Sequence, residues 1–304
     1  MLIASGILLT IALLAFWLWT PDKDRKALEA IYLRSPADLI DVSGLLLHVR
    51  DDGPRNAPAV FFLHGFGASL HTWEPWANSL KSEFRVIRID LPGSGLSAPD
   101  PQGDYSDARS MQILLALMDK LGLQRASVVG NSMGGRIAWT FAAQHPARVN
   151  KLVLVSPDGF ASPGFEYGMA PEVPSTLSLM RFILPKPLLR MSLKPAYADP
   201  KVLTDALATR YHDLMLAPGS RDALLARMTQ TVLIDPVPWL QRIQAPTLLL
   251  WGKQDGMIPF ANSAEYVRSL PNSKLVPLPG VGHLAHEESP EVSIKPLREF
   301  LHAG

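Results

Sequence analysis

One serine stands in a setting that suits nucleophilic chemistry. The segment ASVVGNSMGGRIAWTF places Ser132 between Gly130 and Gly134, after an apolar run and before an amphipathic stretch. Glycines on both sides allow a sharp strand-to-helix turn, which lifts the hydroxyl out at the edge of a sheet. The amide of Met133 then points at any negative charge that develops beside Ser132. We therefore predict a serine nucleophile with Met133 as one oxyanion donor; the alternative is a structural serine in a glycine-rich turn.

A second glycine-containing loop could supply the other oxyanion donor. His64, Gly65, Phe66 and Gly67 directly follow the apolar run AVFFL. In a strand–turn–helix serine hydrolase, this loop presents a backbone amide to the reacting carbonyl. The backbone amide of Phe66 is therefore the predicted second donor, whereas His64 is expected to shape the loop by hydrogen bonding.

A serine nucleophile needs a base, and the chain offers several downstream histidines. The expected chain order is serine, then an acid, then histidine. His283 lies in PGVGHLAHEESP, a glycine-rich loop after a short apolar run, so we predict it to be the base. His286, three residues later, is the rival. His145 precedes a proline at a helix end and His302 is near the C-terminus, so both are expected to be structural or solvated.

Two aspartates compete for the role of the acid. Asp255 follows the apolar run TLLLW through the turn GKQD, and Asp158 follows the preceding strand in VLVSPDG. We predict Asp255, and the alternative Asp158 remains open at this point. Asp90, in RIDLPGSGLS, is expected to brace a tight turn. Asp235, before VPWLQRI, is expected to cap a helix.

The elements that must position these residues alternate along the chain. Apolar runs predict strands near residues 45–49, 59–63, 86–89, 126–129, 152–155, 247–251 and 274–277. Such continuous apolar strands are typical of a mostly parallel sheet that is buried on both faces. Amphipathic stretches lie between them, so the pattern predicts an α/β fold with helices on both faces of the sheet.

The alternation breaks in one proline-rich stretch. Residues 159–235 are predicted to form an inserted helical cap, between core segments 38–158 and 236–304, above the sheet edge where ligands of open α/β sheets bind. Apolar cap residues are predicted to line an acyl channel, with packing against the sheet as the alternative: Met169, Leu177, Leu179, Met180, Phe182, Ile183, Leu188 and Met191.

The N-terminus reads as a membrane anchor. Residues 1–21 carry no charged side chain, and the mainly apolar run LIASGILLTIALLAFWLW is about 18 residues long, roughly the length that crosses a hydrocarbon core. A cleaved signal peptide is the alternative, but the basic n-region and cleavage site are missing. Residues 22–37 predict a juxtamembrane helix with Leu28, Ile31 and Tyr32 on one side, resting on the membrane or packing on the domain.

Localisation and partners follow from these features. We expect a single-pass protein, for example of a bacterial inner membrane, with the side of the catalytic domain left open, and a homodimer through the membrane segment is conceivable. With 29 basic and 28 acidic residues, neither charge dominates, and no long basic run appears that could follow a nucleic-acid backbone, so nucleic acid is not an expected partner. The absence of cysteine excludes disulfides, thiolate metal sites and cysteine nucleophiles.

Taken together, LHGFGAS, DLPGSGLS, GNSMGG, WGKQD and GVGH resemble the α/β-hydrolase superfamily over residues 38–304. With the N-terminal anchor, the chain is similar to membrane-anchored monoacylglycerol lipases and related bacterial esterases and lipases. This resemblance implies a Ser132, His283 and Asp255 triad and no metal or organic cofactor. A small-molecule or lipid ester is the expected substrate.

Two other functions remain open. The meta-cleavage carbon–carbon hydrolases also use serine and often show a similar GNSMGG stretch, although many have an aromatic residue where this chain has Leu284. A catalytically silent membrane scaffold is the third possibility, since fold alone does not fix function. Such a scaffold has no need of a triad and an oxyanion loop together.

Overall fold

The computed structural model describes residues 18–161 and 166–303, and its centre is an eight-stranded sheet. The strands are β1 (Leu39–Val42), β2 (Leu45–Asp52), β3 (Ala59–Leu63), β4 (Arg85–Ile89), β5 (Ala126–Asn131), β6 (Val149–Val155), β7 (Thr247–Gly252) and β8 (Ser273–Leu278). Their order across the sheet is β1-β2-β4-β3-β5-β6-β7-β8. β2 pairs antiparallel with β1 on one side and with β4 on the other. The remaining neighbours, β4 with β3, β3 with β5, β5 with β6, β6 with β7 and β7 with β8, all pair parallel.

The helices cover both faces of this sheet and continue into the segment between β6 and β7. They are α1 (Arg25–Tyr32), α2 (Glu74–Leu80), α3 (Asp107–Lys120), α4 (Met133–Gln144), α5 (Lys186–Leu193), α6 (Asp205–Met215), α7 (Ser220–Gln230), α8 (Val237–Leu240), α9 (Ser263–Ser269), α10 (Ala285–Glu288) and α11 (Pro290–His302). Helices α5 to α8 lie between β6 and β7 in the chain. Of these, α5 to α7 fall within residues 159–235, where the sequence predicts the cap, and α8 begins just after it.

The central strands are buried because each presents apolar side chains to both faces. In β3, Phe61 and Leu63 pack into one core with residues of α3, α4 and α9, while Val60 and Phe62 pack into the other with α2 and α11. A strand buried in this way reads as a continuous apolar run rather than an alternating one. The predicted mostly parallel sheet with helices on both faces is therefore confirmed.

All seven predicted strands are present, but β1 was not predicted. Its sequence, LIDV, is short and only partly buried, because it pairs with β2 at the edge of the sheet. An edge strand needs little apolar content, so the run lacks the signal that revealed the others.

The N-terminal segment packs on the rest of the domain. Leu28 of α1 is fully buried against Leu96, Leu214 and Ala217, whereas Ile31 is exposed. Helix α1 therefore packs on the domain through Leu28, the second of the two arrangements predicted for it. The predicted anchor, residues 1–21, lies almost entirely outside the described residues. Within residues 18–161 and 166–303, no helix is long and apolar enough to cross a bilayer.

Candidate active site

Ser132 occupies the turn between β5 and α4. Its backbone has φ 53° and ψ −123°, a conformation that a non-glycine residue rarely adopts. The turn is held by its own backbone: the amide of Ser132 donates to Val155 O at 3.1 Å, and the amide of Asp158 donates to Ser132 O at 3.0 Å. This strained, well-supported turn places Ser132 on the wall of a cavity.

The neighbouring glycines are required by close backbone contacts. A Cβ at Gly130 would collide with the carbonyl oxygen of Gly134, and a Cβ at Gly134 would collide with that of Leu63. The pair of glycines therefore lets α4 begin directly against β3 and β5, as the sequence pattern predicts.

His283 and Asp255 meet across two loops at the carboxyl edge of the sheet. His283 Nδ1 lies 2.8 Å from Asp255 Oδ2, and both side chains are buried. Asp255 Oδ1 accepts hydrogen bonds from the amides of Met257 and Ile258, both at 2.8 Å. These two bonds hold the carboxylate in place, and its Oδ2 accepts a hydrogen bond from Nδ1 of His283. The other ring nitrogen, Nε2, is then the one that can accept a proton.

Two backbone amides near Ser132 are available to an anion. Among the described residues, the amides of Phe66 and Met133 have no hydrogen-bond acceptor. The loop that carries Phe66 lies against the nucleophile turn, since a Cβ at Gly65 would lie 3.2 Å from Ser132 Cβ. The loop of Phe66 therefore lies beside the turn of Ser132, and neither predicted donor amide is used within the described residues.

The rival histidine and aspartate are engaged elsewhere. His286 is buried, stacks on Trp73 at 4.0 Å between ring centroids, and places Nε2 2.9 Å from Thr72 Oγ1. Burial lowers the pKa of His286 well below its usual value. Asp158 pairs with Arg136 instead of a histidine. The geometry therefore favours His283 and Asp255.

The remaining candidates have the structural roles that were expected. His64 Nε2 accepts the Leu91 amide at 3.0 Å and Nδ1 donates to Gly65 O at 2.8 Å, so it shapes the oxyanion loop. Asp90 accepts the amides of Leu70 and Leu96. Although burial alone would raise the pKa of Asp90, the adjacent histidines, above all His48, lower it.

Three further candidates also lie outside the site. Asp235 accepts the amide of Val237 at the start of α8. His145 and His302 lie at the ends of α4 and α11, away from the described cavity.

The cavity at Ser132 has a volume of about 400 Å³ and a mostly apolar lining. It is lined by Phe66, Ser132, Met133, Arg136, Asp158, Phe160, Pro171, Glu172, Val173, Pro174, Met228, Thr231 and Leu233. His283 is not among these lining residues and is buried.

The only cation among the described lining residues is neutralised. The buried guanidinium of Arg136 bonds Asp107 Oδ2 at 2.7 Å and Oδ1 at 3.2 Å, and it also contacts Asp158. Burial would lower the pKa of Arg136, but the two carboxylates raise it, so the group stays charged and paired. Glu172 adds a further negative charge at the cavity wall.

Comparison with known proteins agrees with this geometry. The model of the family described as alpha/beta hydrolase fold matches residues 58–290. The chain belongs to the α/β-hydrolase family. A curated relative from Pseudomonas putida, 2-hydroxy-6-oxononadienedioate/2-hydroxy-6-oxononatrienedioate hydrolase 2, is 31% identical over an alignment of 273 residues that covers 84% of this chain and 92% of the relative. We therefore regard this chain as a hydrolase.

Two solved structures match this hydrolase over more of its length. One, from Acinetobacter baumannii AYE, carries only a provisional description as a lipase; it is 25% identical, with a TM-score of 0.73 and coverage of 93% of this chain and 97% of its own. The other, a membrane phospholipase A described as a bacterial virulence factor, is 24% identical, with a TM-score of 0.71 and coverage of 98% and 94%. The second likeness concerns the fold alone.

The prediction of which residues line an acyl channel is wrong. None of the eight apolar side chains that were expected to line it borders the described cavity at Ser132. Leu188 and Met191 lie on the outer side of α5, with 50% and 60% of their surface exposed, while Leu189 of the same helix is buried. Leu189, on the inner side of α5, packs against other residues of the cap. The part of the cap that lines the cavity is instead the loop around Val173 together with α7.

Contacts between the cap and the histidine loop were not predicted. The amide of His283 donates to Ala196 O at 2.8 Å. Glu288 accepts the amides of Gly282 at 2.6 Å and Asp199 at 2.8 Å, bridging the loop and the cap. Glu287 accepts the hydroxyl of Tyr197 at 2.8 Å. The loop of His283 is therefore held between the core and one end of the cap, through contacts that no local sequence pattern reveals.

Proposed function

We propose that this hydrolase cleaves carboxylic esters through an acyl-enzyme on Ser132. His283 Nε2 takes the hydroxyl proton while the oxygen of Ser132 attacks the ester carbonyl, and Asp255 holds the imidazole in the required tautomer. The tetrahedral intermediate expels the alcohol, which receives the proton from His283. Water, deprotonated in the same way, then attacks the acyl-enzyme and releases the acid.

The backbone amides of Phe66 and Met133 are proposed to bind the oxyanion. Both are free among the described residues and lie at the nucleophile turn. Fixed donors of this kind contribute about 3 kcal/mol each to transition-state stabilisation in comparable sites. Side-chain substitution leaves backbone donors in place, so this contribution should survive in variants of the triad.

The charge of the cavity is the observation that favours an uncharged ester as the substrate. Arg136 is saturated by Asp107 and Asp158, and Glu172 leaves the wall with unbalanced negative charge. A substrate that brings its own carboxylate into this space would meet repulsion, and the described lining residues offer no free cation to compensate. An apolar acyl group of an uncharged ester meets no such cost.

Carbon–carbon hydrolysis is the second candidate, and the curated relative favours it. The substrate named for the P. putida protein is a dicarboxylate whose cleavage breaks a carbon–carbon bond, and that protein is 31% identical to this chain. The same Ser132, His283 and Asp255 arrangement would serve such a reaction. The cavity charge argues against the dicarboxylate itself, and Leu284 stands where many such enzymes have an aromatic residue.

A comparison of kcat/KM for two classes of substrate tests this proposal. Purified enzyme should be assayed for kcat/KM with p-nitrophenyl esters from acetate to decanoate and with a vinylogous diketone bearing one or two carboxylates, using Ser132→Ala as control. A kcat/KM for esters that exceeds the value for the vinylogous diketone, and that rises with acyl length, would support ester hydrolysis. A higher kcat/KM for the vinylogous diketone would favour carbon–carbon hydrolysis instead.

Membrane attachment through residues 1–21 is part of the proposed function. The uncharged run has roughly the length of a bilayer core. We propose that it holds the enzyme at a membrane whose lipids, or products derived from them, are its esters, with a homodimer through this segment as a further possibility. No cofactor and no nucleic acid enter this proposal.

A truncation should test the attachment without disturbing the cap. It should begin at Leu18, because Thr20 and Asp22 bond to Arg221. The truncated enzyme should leave the membrane fraction and keep its activity on soluble esters. Its rate on vesicle lipids should fall, because the effective concentration of substrate is lost. Equal rates of both forms on vesicle lipids would contradict a role for the anchor.

A further inference from the structure

Large apolar side chains are unusually exposed on one part of the cap. Of the fifteen exposed large hydrophobic residues in the described chain, six fall between residues 167 and 191. Leu188 and Met191 lie three positions apart on α5, on one face, with half or more of their surface in solvent. Leu179 and Phe182, just before α5, are 54% and 48% exposed. Single exposed apolar residues need no explanation, whereas contiguous exposed apolar patches are typical of interaction surfaces.

The N-terminal arm reaches this same part of the cap. Trp19, itself 54% exposed, stacks on Phe182 with ring centroids 5.6 Å apart. The amide of Thr20 donates to Phe182 O at 2.8 Å, and the amide of Leu184 donates to Thr20 Oγ1 at 3.1 Å. The chain therefore joins the apolar patch directly after its uncharged first 17 residues.

Basic side chains accompany the apolar ones. Residues 179–205 contain five lysines and arginines (Arg181, Lys186, Arg190, Lys194, Lys201) against two aspartates (Asp199, Asp205), in a chain whose net charge is only +1. A surface depression of about 510 Å³ combines three of these cations, Arg190, Lys194 and Lys201, with Met191 and two prolines. Cations beside exposed apolar groups match the surface of a bilayer that contains anionic phospholipids.

We propose that Trp19, Phe182, Leu188 and Met191, with Lys194 and Lys201, form a docking surface for an anionic phospholipid bilayer. The apolar side chains enter the interfacial layer, and the cations contact phosphate headgroups. Interfacial preference is strong for tryptophan, which is placed where the apolar N-terminal run meets the cap. The cap that covers the active site would thus lie on the membrane itself. The surface is separate from the triad, so the proposal does not depend on which bond Ser132 cleaves.

The absence of cysteine makes a direct test possible. Full-length Leu188→Cys and Met191→Cys, each labelled with an environment-sensitive NBD fluorophore, should be reconstituted into phosphatidylcholine vesicles with and without phosphatidylglycerol. We expect a blue shift, stronger emission and quenching by doxyl-labelled lipids, all enhanced by phosphatidylglycerol. Val292→Cys on α11, equally exposed at 50%, is the matched control and should show none of these changes.

The charge component has its own test. Lys194→Gln and Lys201→Gln, placed in the labelled protein, should each lower the ratio of docked to undocked protein by about fivefold on vesicles with phosphatidylglycerol. Labels at 188 and 191 that stay in water, or that respond no more than the label at 292, would overturn the proposal. A label shielded without lipid and not quenched by doxyl lipids would also overturn it, since a second copy or residues 1–17 would then cover the patch. Each variant should also be assayed on a soluble ester. If that hydrolysis is unchanged while docking fails, the docking surface is wrong and the proposed ester hydrolysis is unaffected.

Discussion

The side-chain amide of Asn131 donates a hydrogen bond to the backbone carbonyl of His283 at 3.2 Å and another to Val155 O at 3.0 Å. Asn131 is the residue directly before the proposed nucleophile, so this one side chain ties the serine turn to the loop of the base, 152 positions away in the sequence. Part of what holds the turn of Ser132 and the loop of His283 together is therefore a bond outside the proposed triad.

Asn131→Ala should lower kcat by about one to two orders of magnitude, because a small displacement between reacting groups is costly in rate. KM for a short ester should change little, since Asn131 does not line the described cavity. Steady-state kinetics with p-nitrophenyl acetate would measure both. Asn78→Ala, on the exposed side of α2, is the control and should behave as wild type. A loss confined to KM would contradict the positioning role.

The two aspartates near the site should differ in their effect. Asp255→Asn should reduce kcat by about four orders of magnitude, because an amide favours the wrong tautomer of His283. Asp158→Asn should cost less than about tenfold, or about 1.4 kcal/mol, since Asp107 still holds Arg136. The opposite ranking would assign the acid to Asp158.

The Asp158→Asn variant also tests the charge of the cavity. With one of its two carboxylates removed, Arg136 should attract an anionic substrate better than it does in the wild type. We therefore expect the ratio of kcat/KM for a carboxylate-bearing ester to that for a neutral ester of equal size to rise. A ratio that stays constant would show that cavity charge does not select the substrate.

Stability should decrease in mild acid through buried neutral histidines. Burial, reinforced by the charge of Arg50 and only partly offset by Asp90, lowers the pKa of His71 to about 4. Burial also lowers the pKa of His64 and of His286. Between pH 6.5 and about 4 the unfolded chain binds a proton at His71 that the folded protein excludes. The free energy of unfolding therefore falls as the pH falls through this window.

Each such histidine contributes a slope of at most about 1.4 kcal/mol per pH unit. His71→Gln removes one of them, so its unfolding free energy should depend less steeply on pH than that of the wild type. Urea unfolding at pH 7.5, 6.0 and 5.0 would measure both slopes. Identical slopes in the two proteins would contradict the assignment of His71 as a buried neutral group.

The contact between cap and histidine loop should affect rate and stability together. Glu288→Gln leaves one acceptor oxygen for the two amides of Gly282 and Asp199, so one of these bonds is lost. We expect unfolding to become easier by about 1–2 kcal/mol and kcat to fall by about tenfold. Glu291→Gln, exposed on the next helix, is the matched control. A loss of stability with unchanged kcat would show that Glu288 is structural only.

The core strands and the candidate triad residues could be predicted because their signals are local. Continuous apolar runs revealed the buried strands, and short glycine-containing turns at strand ends marked the positions of Ser132, Asp255 and His283. The sequence favoured Asp255, but the choice against Asp158 stayed open, because both follow strands. It depends on a long-range pairing: Arg136 engages Asp158, and His283 engages Asp255.

The cap could not be predicted in detail for a different reason. Prolines cut it into short pieces, which carry too few turns to show which side of each helix faces inward. Apolar content alone suggested that Leu188 and Met191 line the cavity, whereas Leu189 is the buried residue of that helix. The ties of Ala196 and Glu288 to the histidine loop depend on tertiary packing that no motif encodes.

The most direct test of the central claim is covalent labelling of the nucleophile. The enzyme should be treated with a fluorophosphonate, and the modified peptide located by mass spectrometry alongside the ester turnover of Ser132→Ala. We predict a single adduct on Ser132, and turnover in Ser132→Ala that is lower by about four to six orders of magnitude in a protein with unchanged circular dichroism. An adduct on another serine, or near-normal ester turnover in Ser132→Ala, would contradict the assignment of Ser132 as the nucleophile.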